Sequence, residues 1–145
     1  MKRKAALLWA LSLLYTFVIF SFSLMPGHDS AGLSGRIAMF IMNTLRLSVS
    51  FEDLHHLIRK LAHFSEYGVL GILVYHAAKN SLPADKVIPA ILLYGIAAAS
   101  IDETIQLFVP QRAGAITDVL IDLSGYCALW AFCALIHQNL SRSDG

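Results

Sequence analysis

Charge is scarce in this chain. Of its 145 residues only 14% are Asp, Glu, Lys or Arg, and 57% are hydrophobic. The mean hydropathy is +0.62. A soluble domain of this size would need more polar surface than that. The formal net charge is +1, and no basic tract is longer than Lys2-Arg3-Lys4, so the composition gives no footing for nucleic acid. There are two cysteines, Cys127 and Cys133. They fall in one apolar run, too far apart to bridge within a straight helix, and they fix no redox compartment. The chain has no internal repeat and no low-complexity segment. It also has no serine nucleophile elbow and no reactive-cysteine arrangement.

What it does have is apolar blocks about 20 residues long, the length a helix needs to cross a bilayer. They fall at residues 5–25, 57–79, 87–108 and 116–138. The first follows a basic start, as a signal peptide would. It is as long as a span, however, and no A-x-A site follows it; Ser21-Phe22-Ser23 is a poor substitute. A retained first span is therefore expected, ended by Pro26-Gly27. His28 to Ser34 reads as loop. Leu33, Ile37, Phe40, Ile41, Leu45 and Leu47 then recur at helical spacing with Arg36, Asn43 and Arg46 between them, as in an amphipathic interfacial helix. Ser50 is a helix cap, with Glu52 and Asp53 in the first turn. Gly68 and Gly71 invite close helix packing. The segment from Asn139 onward reads as a frayed polar tail. The expected fold is all-α: one domain over residues 1–145, an integral membrane bundle of four transmembrane helices with a short amphipathic helix in the first outer loop. The clustered N-terminal charges favour cytoplasmic termini and a place in the inner (cytoplasmic) membrane.

The few charges left over are unevenly placed. With both termini inside, His63 and Glu66 lie about 9 to 14 Å into the second span from its outer end, Asp102 lies about 9 Å from the outer end of the third, and Asp118 and Asp122 lie about 3 and 9 Å into the fourth. Three helices thus bring ionisable groups to one depth, in the outer third of the membrane. Helical spacing puts Lys60, His63 and Tyr67 on one stripe and Arg59, His63 and Glu66 on its neighbour. Asp102 with Gln106, and Asp118 with Asp122, each share a face. Charges inside spans usually face a bundle interior or an aqueous cavity, so a shared polar pocket is expected. The competing reading is structural: Arg59, Lys60 and Arg112 neutralise the acids in ion pairs that lock the bundle. On that view Lys60 and Glu103 snorkel or face solvent. His55-His56 reads as surface, and His76 and His137 as interfacial.

Two stretches carry a resemblance. Arg59-Lys60-Leu61-Ala62-His63-Phe64-Ser65-Glu66-Tyr67-Gly68-Val69-Leu70-Gly71 resembles the first signature of the VanZ-like membrane proteins. Asp102-Glu103-Thr104-Ile105-Gln106-Leu107-Phe108-Val109-Pro110-Gln111-Arg112 resembles the second. Asp118, Asp122 and Gly125 look like the acidic and glycine positions that follow, although Leu123-Ser124-Gly125 stands where many members carry Asn before the glycine. The resemblance runs over residues 5–138 and is densest over 59–125. It implies a small cell-envelope protein, and it carries a link to low-level resistance against the lipoglycopeptide antibiotic teicoplanin. It supplies no settled reaction.

Three functions fit such a pocket. The first is an enzyme acting on the head group of a lipid or a lipid-linked, polyprenyl-phosphate type substrate. His63, Glu66, Asp102, Asp118 and Asp122 would be its catalytic candidates. Arg59, Lys60, Tyr67, Glu103, Gln106 and Arg112 would be its substrate-binding candidates, with the arginines suited to phosphate or carboxylate. No cofactor is certain, and Asp102, Asp118 and Asp122 offer oxygen ligands to a divalent cation. The second is a lipid-binding factor without turnover, engaging wall precursors or lipoglycopeptides. The third is proton-coupled movement of a lipid or solute, for which four short helices would call for a homo-oligomer.

Overall fold

In the computed structural model, residues 2–46, 48–112 and 114–143 are described, without the side chains of 28–31, 33 and 140–143. Leu33, Leu47, Ala113, Arg142 and the end of the expected tail therefore fall outside the described residues in side chain or entirely.

Five helices follow one another: α1 Lys2–Ser23, α2 Gly27–Leu45, α3 Phe51–Lys79, α4 Ala84–Leu107 and α5 Ile116–Ser143. No strand occurs among the described residues. Three of the helices are long and apolar enough to cross a membrane: α1, α4 and α5. The 29 residues of α3 give it ample length, but its polar load keeps it out of that set.

The burial pattern is that of a chain built for an apolar solvent. In α1 the side chains facing outward are Leu13, Leu14 and Phe17, at 60%, 60% and 68% exposure, while Ser12 and Ser23 are buried. In water this arrangement would be inside out. In lipid it is expected, because helices there associate through small and polar residues rather than large apolar ones.

The helix with the most polar residues is the one the others surround. α3 packs against α1, α2, α4 and α5, most extensively against α5. The α3–α5 contact rests on glycine, as the spacing of Gly68 and Gly71 foretold. A Cβ at Gly71 would meet the Tyr126 carbonyl, and one at Gly125 would meet the backbone of Phe64. Tyrosine hydroxyls tie α4 into the bundle: Tyr126 donates to the Ile91 carbonyl at 2.9 Å and Tyr67 to the Ala98 carbonyl at 3.3 Å. Thr16 of α1 meets the Tyr94 hydroxyl at 2.8 Å.

Three local expectations change. The segment read as loop, His28 to Ser34, is already helical, because α2 begins at Gly27. Its start is anchored: the Gly27 amide donates to the Pro110 carbonyl at 3.1 Å. Ile37, Phe40 and Leu45 of the expected apolar stripe are exposed, and α2 instead buries Ala38 against its neighbours. The apolar stripe faces outward, as suits a helix lying against lipid. The third change is at the tail, where α5 continues through Asn139 to Ser143. At the start of α3 the cap is as read, with the Ser50 hydroxyl accepting from the Asp53 amide at 3.1 Å. Cys127 and Cys133 are free thiols, both half-buried.

Candidate functional site

The site begins at the α3–α5 crossing. Gly125 and Gly68 remove the bulk that would hold these helices apart. One turn along from that contact, the close approach brings His63 of α3 beside Asp122 of α5. The His63 Nδ1 and an Asp122 carboxylate oxygen are 3.4 Å apart, with His63 only 16% exposed and Asp122 fully buried. The pair is within charge range but is not aligned as a hydrogen bond. The His63 Nδ1 and both Asp122 oxygens have no hydrogen-bond partner.

α4 supplies the next wall. Asp102, Glu103 and Gln106 are all buried. The Gln106 amide donates to Asp102 at 3.3 Å and to Glu103 at 3.0 Å. The other Glu103 oxygen accepts from the Ala115 amide at 2.9 Å. Glu103 therefore does not snorkel or face solvent; it fastens the end of α4 to the loop before α5. One oxygen of Asp102 remains without a partner. A nitrogen of His63, an oxygen of Asp102 and an oxygen of Asp122 all lie within 4.8 Å of one another. Asp118 is not in this grouping, and His63 takes the place the sequence reading gave it.

Arg112 closes the top. It donates to the carbonyls of Met25 at 3.2 Å and Phe22 at 2.9 Å, and to the Gln106 side-chain oxygen at 3.4 Å. It staples the α4–α5 loop to the end of α1. Burial, with Arg59 close by, pulls its pKa below the ordinary arginine value, yet a guanidinium stays charged at neutral pH.

Two clefts open from this core, and both are lined by His63 and Arg59. The first, about 220 Å³, lies between α1, α2 and α3. Its walls are Phe22, Met25, Ile37 and Ile58 on the apolar side and Arg59, His63, Glu66 and Arg112 on the polar side. The second, about 260 Å³, lies between α3 and α5 and takes in His56, Lys60, Thr117 and Asp118. The residues expected to share a pocket are thus divided. Arg59, Lys60, His63, Glu66, Arg112 and Asp118 line the clefts. Tyr67, Asp102, Glu103, Gln106 and Asp122 form the buried layer beneath them. Among the described residues no Lys or Arg lies within 4 Å of a buried carboxylate, so the ion-paired lock is not how these acids are held.

This geometry joins the two motif stretches into one unit, with the Asp118–Asp122 segment closing it. The model of the VanZ/LLP1 family matches residues 7–137. The chain belongs to the VanZ/LLP1 family. The match spans all the VanZ-like positions singled out above, and with the apolar helices it marks a membrane protein. No curated protein and no solved structure matched the chain.

Sequence reasoning missed several contributors to this VanZ-type site. Ser23 is buried and lines the first cleft, and α2 contributes Ser34 and Ile37 to the same wall. His55 was read as surface, but its Nε2 lies 2.7 Å from the Ser34 hydroxyl and joins α2 to α3. Nothing in local spacing marks these residues, because α2 reaches the cleft only through the tertiary fold. His76 and His137 stack edge to face near the far ends of α3 and α5, with centroids 6.2 Å apart and away from both clefts.

Proposed function

We propose that this VanZ-family protein takes the head group of an amphiphile into the first cleft and acts on it there. The observation that carries the reading is the mixed lining: Phe22, Met25, Ile37 and Ile58 share one opening of about 220 Å³ with Arg59, His63, Glu66 and Arg112. An apolar lining beside two guanidiniums suits a phosphorylated lipid, with the chain along the apolar residues and the phosphate at the fork of Arg59, since that of Arg112 is engaged. His63 is the group placed to move a proton, since imidazole changes charge near neutral pH. Glu66 stands on the same helix face, one turn away.

In this reading α3 is the fourth span. Its polar face is tolerated because four helices surround it, which is where ionisable residues in spans are found. The termini lie in the cytoplasm, and the cleft opens toward the outer face of the inner membrane. The substrate class is a phospholipid or a polyprenyl-phosphate intermediate.

The test is native mass spectrometry with lipid extraction on gently purified protein. The wild type should retain a phosphorylated lipid that Arg59→Gln loses. Among the described residues Arg59 makes no hydrogen bond or ion pair, so this variant separates binding from folding. Retention of the same lipid by both proteins, or of none by the wild type, overturns the reading. A retained lipid that is never turned over recasts the protein as a binding factor.

A further inference from the structure

The buried layer beneath the clefts poses an electrostatic problem that the lipid reading leaves unsolved. Asp102 and Asp122 are both fully buried. Among the described residues three of their four oxygens have no well-aligned hydrogen-bond partner; the fourth accepts from Gln106, and the Ser23 and Tyr67 hydroxyls stand near Asp102. Isolated carboxylates in such surroundings cost several kcal/mol each. One imidazolium at His63 would offset a single charge. Arg112 is engaged by carbonyls and by Gln106.

We propose that His63, Asp102 and Asp122 are the protein ligands of a divalent transition-metal cation such as Zn²⁺ or Mn²⁺. Two carboxylates and a neutral imidazole balance a charge of two. The set pairs one nitrogen with two oxygens from three different helices. Mg²⁺ favours an all-oxygen octahedron, whereas an imidazole suits transition metals. Adjacent ligands of an ion with bonds near 2.1 Å sit about 3.0 to 3.5 Å apart. The His63–Asp122 pair has that spacing, at 3.4 Å. The full set lies within 4.8 Å, so closing around an ion asks for side-chain movements of about 1 Å. The unpartnered atoms, the His63 nitrogen included, are the ones a cation would engage.

Three protein ligands leave coordination positions free, the pattern of catalytic rather than structural sites. His63 lines both clefts and so connects the buried carboxylates to them. The inference stands on burial and ligand chemistry alone and does not depend on which amphiphile enters.

The experiment uses detergent-purified full-length protein, stripped with chelator and titrated separately with ZnCl₂ and MnCl₂. Bound metal is read by elemental analysis after desalting, and Mn²⁺ also by its electron paramagnetic resonance spectrum. The wild type should hold about one ion per chain. Asp122→Asn should weaken binding by more than about tenfold, while Asp85→Asn, an exposed carboxylate at the start of α4, should bind as the wild type does. Equal binding by Asp122→Asn and wild type overturns the site. If Asp122→Asn does not fold, the wild type decides. A thermal midpoint raised by metal, with nitrogen coordination to Mn²⁺ in the spectrum, supports the site. A metal-free wild type with an unmoved midpoint overturns it and leaves His63 and Asp122 as a proton-sharing pair. Metal binding without lipid retention would overturn the lipid reading alone.

Discussion

Replacing Gly125 with alanine tests how the site is held together. A Cβ there would stand 2.8 Å from the carbonyl carbon and 2.9 Å from the Cα of Phe64, and closer still to the Phe64 oxygen. Carbon atoms in contact settle at about 3.5 to 4.0 Å, and with the oxygen closer still α3 and α5 must part by about 1 Å or more. The obstacle is backbone and cannot swing aside as a side chain would. Overpacking of this kind costs about 1 to 3 kcal/mol, and the better helix propensity of alanine returns up to about 1 kcal/mol. The expected net loss for Gly125→Ala is therefore about 0 to 2 kcal/mol, which leaves it about 1 to 3 kcal/mol below a helix glycine replaced without a clash. Gly68→Ala should cost less, because its nearest obstacle is the Leu129 side chain, which can rotate. Gly32→Ala is the control: nothing lies within 4 Å of its Cβ position, so it should be neutral or stabilising. Equilibrium unfolding in mixed micelles, followed by tryptophan fluorescence, ranks the three. The same parting would draw His63 away from Asp122, so Gly125→Ala should also weaken whatever the pair binds. Gly125→Ala as stable as Gly32→Ala would refute the argument that the α3–α5 crossing is set by backbone contact.

Arg112→Lys keeps the charge but loses the fork that reaches the Phe22 and Met25 carbonyls and Gln106 together; it should lose about 1 to 3 kcal/mol of stability, and an unchanged unfolding midpoint would show that the staple between the α4–α5 loop and α1 contributes nothing. For the orientation, single cysteines at Arg112 and Lys86 in a background without Cys127 and Cys133 should react with an impermeant maleimide in intact cells at position 112 only. The opposite labelling pattern would invert the topology.

The parts of this molecule that were legible in sequence are those governed by helical period. The apolar blocks gave α1, α4 and α5 within a few residues, and the stripes correctly put His63 and Glu66 on one side of α3. The Ser50 cap, with its local side-chain bond, was equally readable. What could not be read was anything decided by a neighbour in space. Glu103 sits one residue from Asp102, and its sequence position near the end of a span argued for solvent. The loop amide of Ala115 and the side chain of Gln106 make its burial tolerable instead. Ile37 and Phe40 have the spacing of a packed face, but α2 buries Ala38 instead, leaving Phe40 outward and Ile37 at the mouth of the first cleft. The competing reading, in which ion pairs lock the bundle, finds no direct contact among the described residues for a related reason. Arg112 was available by charge, but three uncharged acceptors at the end of α1 and on Gln106 hold it first. Its capture leaves Arg112 linked to Asp102 only through Gln106, while His63 faces Asp122 directly. The helix packing thus brings acids from α4 and α5 beside His63 of α3. Buried carboxylates lacking hydrogen bonds are poor glue, since a bundle of apolar and small residues would be at least as stable. Their convergence from α4 and α5 on His63, which lines both clefts, is what the proposed cation site would account for and a purely structural role would not.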